Sequence, residues 1–243
     1  MKSIPPVHKI TGLLTSNIYV IEDKDEIVLF DAGIPQDYRL IVDAIKSLGR
    51  SPVEISHILL THFHPDHSGS AAALRRLSHA KVYAHEDDAK IIEGSESASM
   101  VYARGIIGRA VSLVPRVVSA FGRFPRVEVD VKVRDEEHLD ILGGIRVIQA
   151  PGHTPGSVAY YWEERGILFS GDAIINSYRF FTLPTPGFST SMEEARDSAC
   201  KIVDIVEKGG IWLFCPGHGP MVDERTLERL QAFRGRILRK QKI

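Results

Sequence analysis

The stretch Ile55-Ser56-His57-Ile58-Leu59-Leu60-Thr61-His62-Phe63-His64-Pro65-Asp66-His67-Ser68-Gly69 decides how this chain is read. Ile55 to Leu60 is a short apolar run of the kind that forms a buried strand. It stops against His62, His64, Asp66 and His67, four metal-ligating side chains within six residues. Pro65 restricts the backbone of the residue before it. Ser68 and Gly69 then open a helix of small residues that runs to about Leu77. Zinc and similar divalent ions take imidazole nitrogen and carboxylate oxygen from a rigid frame, and catalytic sites keep one position open for water.

Three more ligand-capable residues occupy the same station, just past an apolar run. His153 stands in Ala150-Pro151-Gly152-His153-Thr154-Pro155-Gly156-Ser157, Asp172 in Phe169-Ser170-Gly171-Asp172, and His218 in Cys215-Pro216-Gly217-His218-Gly219-Pro220. The glycines allow close backbone approach and the prolines hold the turns. A single histidine after a strand is ordinarily a hydrogen-bonded surface or core residue, so the weight lies in the whole set. His8, His57, His79, His85 and His138 have no second ligand at useful spacing and read as structural.

Outward from this loop the chain alternates strand and helix in the α/β manner. Asn17–Ile21 and Glu26–Phe30 read as a hairpin, and about Gln36 to Leu48 reads as a helix stopped by Gly49. Lys81–His85 is a strand leading to a short helix through Ile91 and Ile92. The second half gives strands near Glu128–Val133, Ile145–Ala150, Val158–Trp162, Ile167–Ser170 and Ile211–Cys215, with helices from about Met192 to Val206 and from about Glu224. No linker divides the chain, so residues 1–243 read as one domain. The segment 97–126 breaks the pattern. It is apolar and basic, with Arg104, Arg109, Arg116, Arg123 and Arg126, and reads as a helical insertion suited to a substrate lid or a homodimer interface.

Composition narrows the partners. Thirty Lys and Arg against 31 Asp and Glu leave a net charge of −1, so no global field steers the molecule to nucleic acid or anionic membrane. A small-molecule substrate is the expected partner. Cys200 and Cys215 are too few for a disulfide framework, and neither a signal peptide nor a membrane-spanning apolar run is legible. These features point to a cytoplasmic protein.

The pattern His62-x-His64-x-Asp66-His67, followed by His153, Asp172 and His218 in Gly-rich settings, resembles the metallo-β-lactamase superfamily over about residues 17–220. The resemblance implies an αββα sandwich, with two mixed β-sheets flanked by helices and the site along one edge. It implies that His62, His64 and His153 hold one metal, that Asp66, His67 and His218 hold a second, and that Asp172 bridges them. Asp31 would support the ligand loop from behind, fixing a histidine tautomer. Two divalent ions are expected, with zinc first and iron or manganese as alternatives.

Zinc β-lactamases carry cysteine or histidine where Asp172 stands, so the resemblance points away from antibiotic cleavage and toward glyoxalase II, acyl-homoserine lactonases and related phosphodiesterases. The implied reaction is hydrolysis of a thioester, ester or lactone by hydroxide held between the two metals, with Asp66 or a metal-bound water delivering a proton to the leaving group. Only about 20 residues follow Asp223, which is too few for the helical domain that helps glyoxalase II hold glutathione. Lactonases commonly have tyrosine where Ile175 stands, with Tyr178 nearby as a substitute. The alternative reading is a persulfide dioxygenase with one iron on His62, His153 and Asp172. A nuclease, or a binding module on an inactive frame, fits less well because no ligand is missing and no basic, aromatic-interleaved surface appears outside the insertion.

Overall fold

The computed structural model describes residues 6–14, 16–24, 26–96 and 125–239. The expected insertion at 97–126 falls outside these residues apart from Pro125 and Arg126.

Period-2 side-chain alternation builds the centre of the molecule. In β2 (Asn17–Asp23) and β3 (Glu26–Phe30), Ile18, Val20, Ile27 and Leu29 face one layer while Tyr19, Ile21, Val28 and Phe30 face another. Successive strand residues point to opposite faces, so a strand apolar on both faces must be covered twice. Six strands form the first sheet in the order β1 (Val7–Thr11), β2, β3, β4 (Ile55–Leu59), β5 (Lys81–His85), β6 (Val131–Val133). The first three are antiparallel neighbours, and β3 through β6 run parallel. The second sheet has the order β13 (Leu213–Pro216), β10 (Ile167–Gly171), β9 (Val158–Trp162), β8 (Ile145–Gln149), β7 (His138–Leu139), with β10 and β13 parallel and the rest antiparallel. A two-stranded ribbon, β11 (Ile175–Asn176) with β12 (Phe181–Thr182), stands apart.

Three apolar layers result. Between the sheets, Phe30 stacks on Phe169 at 3.7 Å and 7°, with Tyr19 and Tyr160 edge-on around them. Outside the first sheet lie α1 (Tyr38–Ser47), α3 (Ala71–Ser78) and α4 (Glu86–Ile92), which bury Ile41, Ile45, Leu74 and Ile92 against it. Outside the second lie α5 (Met192–Gly209) and α6 (Thr226–Arg239), through Ile202, Val206, Leu230 and Phe233. This is the expected sandwich. Phe30 spans the contact between the sheets, so Phe30→Ala is expected to lower unfolding free energy by about 3–5 kcal/mol in a urea titration.

The structure departs locally from the sequence reading. The ligand loop contains a single helical turn, α2 (Pro65–Ser68), and the longer helix starts at Ala71 instead of Ser68. Pro65 favours the short turn, because its fixed φ suits the first position of a helix and it has no N–H to leave unsatisfied. Strands β1, β7, β11 and β12 were not anticipated, and α5 runs three residues past Val206 to Gly209. Among the described residues, no helix is long and apolar enough to cross a membrane.

Candidate metal centre

Four chain segments converge at one edge of the sandwich. His62 and His64 follow β4, Asp66 and His67 lie on α2, His153 follows β8, and Asp172 and His218 follow β10 and β13. The pairing of β10 with β13 carries the last two together, and Gly217 N donates to Gly171 O at 2.8 Å. Gly217 cannot carry a side chain, because a Cβ there would sit 2.2 Å from Asp172 Oδ1.

All seven predicted side chains are gathered. Their donor atoms form three overlapping groups, His62/His64/His153, His62/His67/Asp172 and Asp66/His67/His218, with the atoms of each group within 4.8 Å of one another. Asp172 lies between the first and last groups. Its Oδ2 is 3.4 Å from both His153 Nε2 and His218 Nε2, and its Oδ1 is 3.5 Å from His67 Nε2. Asp66 Oδ2 is 3.4 Å from His218 Nε2 and 3.7 Å from His67 Nε2.

The arrangement fits divalent cations. His62 Nε2, His153 Nε2 and Asp172 Oδ1 are buried without any hydrogen-bond partner, a costly state that a cation among them would relieve. The opposite ring nitrogens are engaged, His62 Nδ1 with Thr61 Oγ1 at 3.0 Å and His153 Nδ1 with Ser189 Oγ at 3.2 Å. That leaves each Nε2 free to face an ion.

Asp31 sits behind the loop, as expected. It accepts from the Thr61 N–H at 2.8 Å, from Thr61 Oγ1, and from His67 Nδ1 at 2.7 Å. Its φ of 62° is unusual for a residue other than glycine, and turns the carboxylate back under the loop. Asn17 ties the far side of the site, donating to Pro216 O at 2.8 Å and Gly219 O at 2.7 Å around His218.

Charge divides the site in two. Burial, reinforced by the neighbouring His153, drops the His64 imidazole to about 3. Burial also lowers His62 and His153, so this trio is neutral. At His67 burial pulls the same way but is outweighed by Asp31, Asp66 and Asp172, which raise it to about 9. His218 is raised to about 10 against burial by Asp172 and Asp66. Burial would raise both acids, yet His67 and His218 hold Asp66 down at about 2 and Asp172 far below the carboxylate range. Without a cation, then, the acids keep positive charge on the His67/His218 pair.

Three of the histidines outside the cluster have structural partners. His57 contacts Glu26 and Tyr83, His8 pairs with Glu22, and His85 caps α4 by accepting from Asp87 N. Tyr178 stands at the tip of the β11–β12 ribbon, 81% exposed, so it is turned to solvent rather than into the cluster. Sequence reasoning missed Ser189 and Asp88, which hold the ligand loops through hydrogen bonds to His153 Nδ1 and to Phe63 N and Thr154 Oγ1.

The family model of the metallo-β-lactamase superfamily matches residues 11–221. The uncharacterized protein YobT of Bacillus subtilis is 30% identical over 236 residues, covering 90% of this chain and 91% of YobT. A hydroxyacylglutathione hydrolase of Albidiferax ferrireducens is 26% identical over 66% of this chain, and the match spans about half (48%) of that relative. The metallo-β-lactamase family protein TTHA1429 of Thermus thermophilus superposes with a TM-score of 0.69 at 21% identity, covering 93% of this chain and 76% of that one. With the sandwich, the gathered ligand set and these matches in agreement, the chain belongs to the metallo-β-lactamase superfamily of metallo-hydrolases.

Proposed function

We propose that this protein hydrolyses a thioester, ester or lactone at a two-metal centre. His62, His64 and His153 would hold one ion, Asp66, His67 and His218 the other, and Asp172 would lie between them, zinc being the expected metal. The observation that carries this reading is the position of Asp172, whose two oxygens face members of both outer groups within 3.5 Å.

Bound divalent cations acidify water for attack at neutral pH and polarise a carbonyl oxygen. The protein's own groups do the rest. Asp66 is ionised across the neutral range, so its carboxylate can accept a hydrogen bond from the attacking water and orient it. As a carrier of the leaving-group proton it would hold that proton only transiently, because His67 and His218 keep it near 2. Asp31 fixes the His67 tautomer through Nδ1, turning Nε2 to the site. The loop before Ser16, which bridges to His218, exposes Leu13 and Leu14 (67% and 55%), an apolar edge suited to an acyl group.

The likeness to a hydroxyacylglutathione hydrolase supports a thioester among the candidates. A one-iron dioxygenase built on His62, His153 and Asp172 would leave the gathered Asp66/His67/His218 group without a role. Elemental analysis of protein purified without added metal, followed by a panel of thioesters, lactones and phosphodiesters, tests the proposal. Turnover of a thioester, ester or lactone that chelation abolishes and a divalent cation restores is the expected result. One iron per chain with sulfite formed from glutathione persulfide would overturn it.

A further inference from the structure

The chain opens α4 with Glu86-Asp87-Asp88, three acids in a first helical turn where negative charge is favoured by the helix dipole. Glu86 and Asp87 are about half exposed and pair at the surface, Glu86 with Arg134 and Asp87 with His85 and Lys90. Asp88 differs, being completely buried. Its Oδ2 accepts from Phe63 N at 2.8 Å and from Thr154 Oγ1 at 2.7 Å, and its Oδ1 accepts from Gly156 N at 2.8 Å. No cation pairs with it among the described residues, so these three donors are what make a buried carboxylate tolerable.

The position of the donors is what matters. Phe63 lies between His62 and His64 in the loop after β4, and Thr154 follows His153 in the loop after β8. One carboxylate thus joins the two loops, one from each sheet, that supply the three neutral imidazoles. The rings stand 4.5 to 4.8 Å apart, and none hydrogen-bonds another of the three. The Thr61 and Ser189 hydroxyls orient the His62 and His153 rings, and the distance between the loops that carry all three is set by the backbone beneath them. Val158 N to Thr61 O, at 2.9 Å, also joins the loops, but at their roots. Asp88 joins them beside the rings. The second loop is shaped to receive it, because a Cβ on Gly156 would lie 2.6 Å from Asp88 Oδ1.

We propose that Asp88 is a positioning residue that sets the spacing of the His62/His64/His153 group and so governs the affinity of that group alone for a divalent cation. The inference rests on the two-metal part of the reading above and not on the substrate. Groups that hold metal ligands in place typically change metal affinity by about 10- to 100-fold when removed. Asparagine at this position keeps the size but offers one acceptor oxygen. Either Gly156 N–H or the Phe63 and Thr154 donors then face an NH2 group, and one loop is released.

The test is a competition titration of metal-free protein with Zn2+ against a chromophoric chelator. His64→Ala identifies the binding event of the three-histidine group, and Asp66→Ala that of the other. Asp88→Asn is expected to weaken the His64-dependent event by about 10- to 100-fold and to leave the Asp66-dependent event within about twofold. Thr154→Val, which removes one of the three hydrogen bonds, keeps the test decisive if Asp88→Asn does not fold, and should weaken the same event by several-fold. Equal loss at both events, or no loss in a folded Thr154→Val protein, would overturn the proposal. A wild-type protein that binds no Zn2+ would instead defeat the two-metal reading itself, and the two failures are distinct.

Discussion

Asp172→Ala is expected to lower kcat/KM on the best thioester, ester or lactone by at least about 10³-fold, the equivalent of ~4 kcal/mol of lost transition-state stabilisation. It should also reduce bound zinc from two ions toward one per chain. The reason is geometric. Asp172 is 7% exposed, and its carboxylate reaches both outer groups, with Oδ2 near His153 and His218 and Oδ1 near His67. Removing it deprives both outer groups of a negative oxygen and leaves the positive His67/His218 pair with Asp31 and Asp66 as its remaining anions. Asp172→Asn separates charge from shape, since it preserves volume next to Gly217 while removing the charge. The two variants should fall together if charge matters most. Retention of more than about a tenth of wild-type kcat/KM in Asp172→Ala, a loss below ~1.4 kcal/mol, would remove the basis for placing this residue at the reaction centre.

The sequence exposed this architecture where local chemistry and global packing agree. Short apolar runs such as Ile55–Leu60 and Ile167–Ser170 read as buried strands, and ligand-type residues past their ends mark the sheet edge where loops converge. The seven side chains were legible for that reason. Asp88 was not, because an acid in a helix's first turn looks like an ordinary complement to the dipole, and two of its three donors are backbone N–H groups that no residue type announces. Ser189 was hidden by separation, 36 residues beyond the His153 it supports. Strand β1 was missed because its mixed residues, Val7 to Thr11, gain their pairing only from β2. The ribbon β11–β12 has two residues per strand, and Asn176 anchors it to the His218 loop by donating from its backbone to His218 O at 3.2 Å and from its side chain to Pro220 O at 2.8 Å.

Metal loading near neutral pH is expected to release protons, and the stability of the metal-free protein to fall as pH rises. Near pH 7 the His62, His64 and His153 rings are neutral in the fold, and an unfolded histidine, near 6.5, is mostly neutral too, so they contribute little slope above that pH. His67 and His218 do the opposite. Their folded values, about 9 and about 10, lie above the unfolded value, so the stabilisation they bring is fully present below about pH 6.5 and is lost as pH rises through about 9 to 10. Their Nε2 atoms are 3.4 Å apart, which couples the two titrations, and the conservative expectation is one excess proton held by the pair. One such proton corresponds to a decline of about 1.4 kcal/mol per pH unit between roughly pH 7 and pH 9. For a chain of this size that is a fall in Tm of about 3 °C or more per pH unit. A cation bound between Asp66, His67 and His218 takes over the charge that the proton supplied, so the metal-loaded protein should not follow this decline. Calorimetry of zinc binding in two buffers of different ionisation enthalpy counts the released protons, and melting curves of both forms across the pH range give the slope. Metal-free and loaded proteins with parallel Tm profiles, together with zinc binding that releases no proton near pH 7.5, would show that His67 and His218 do not carry the charge assigned to them.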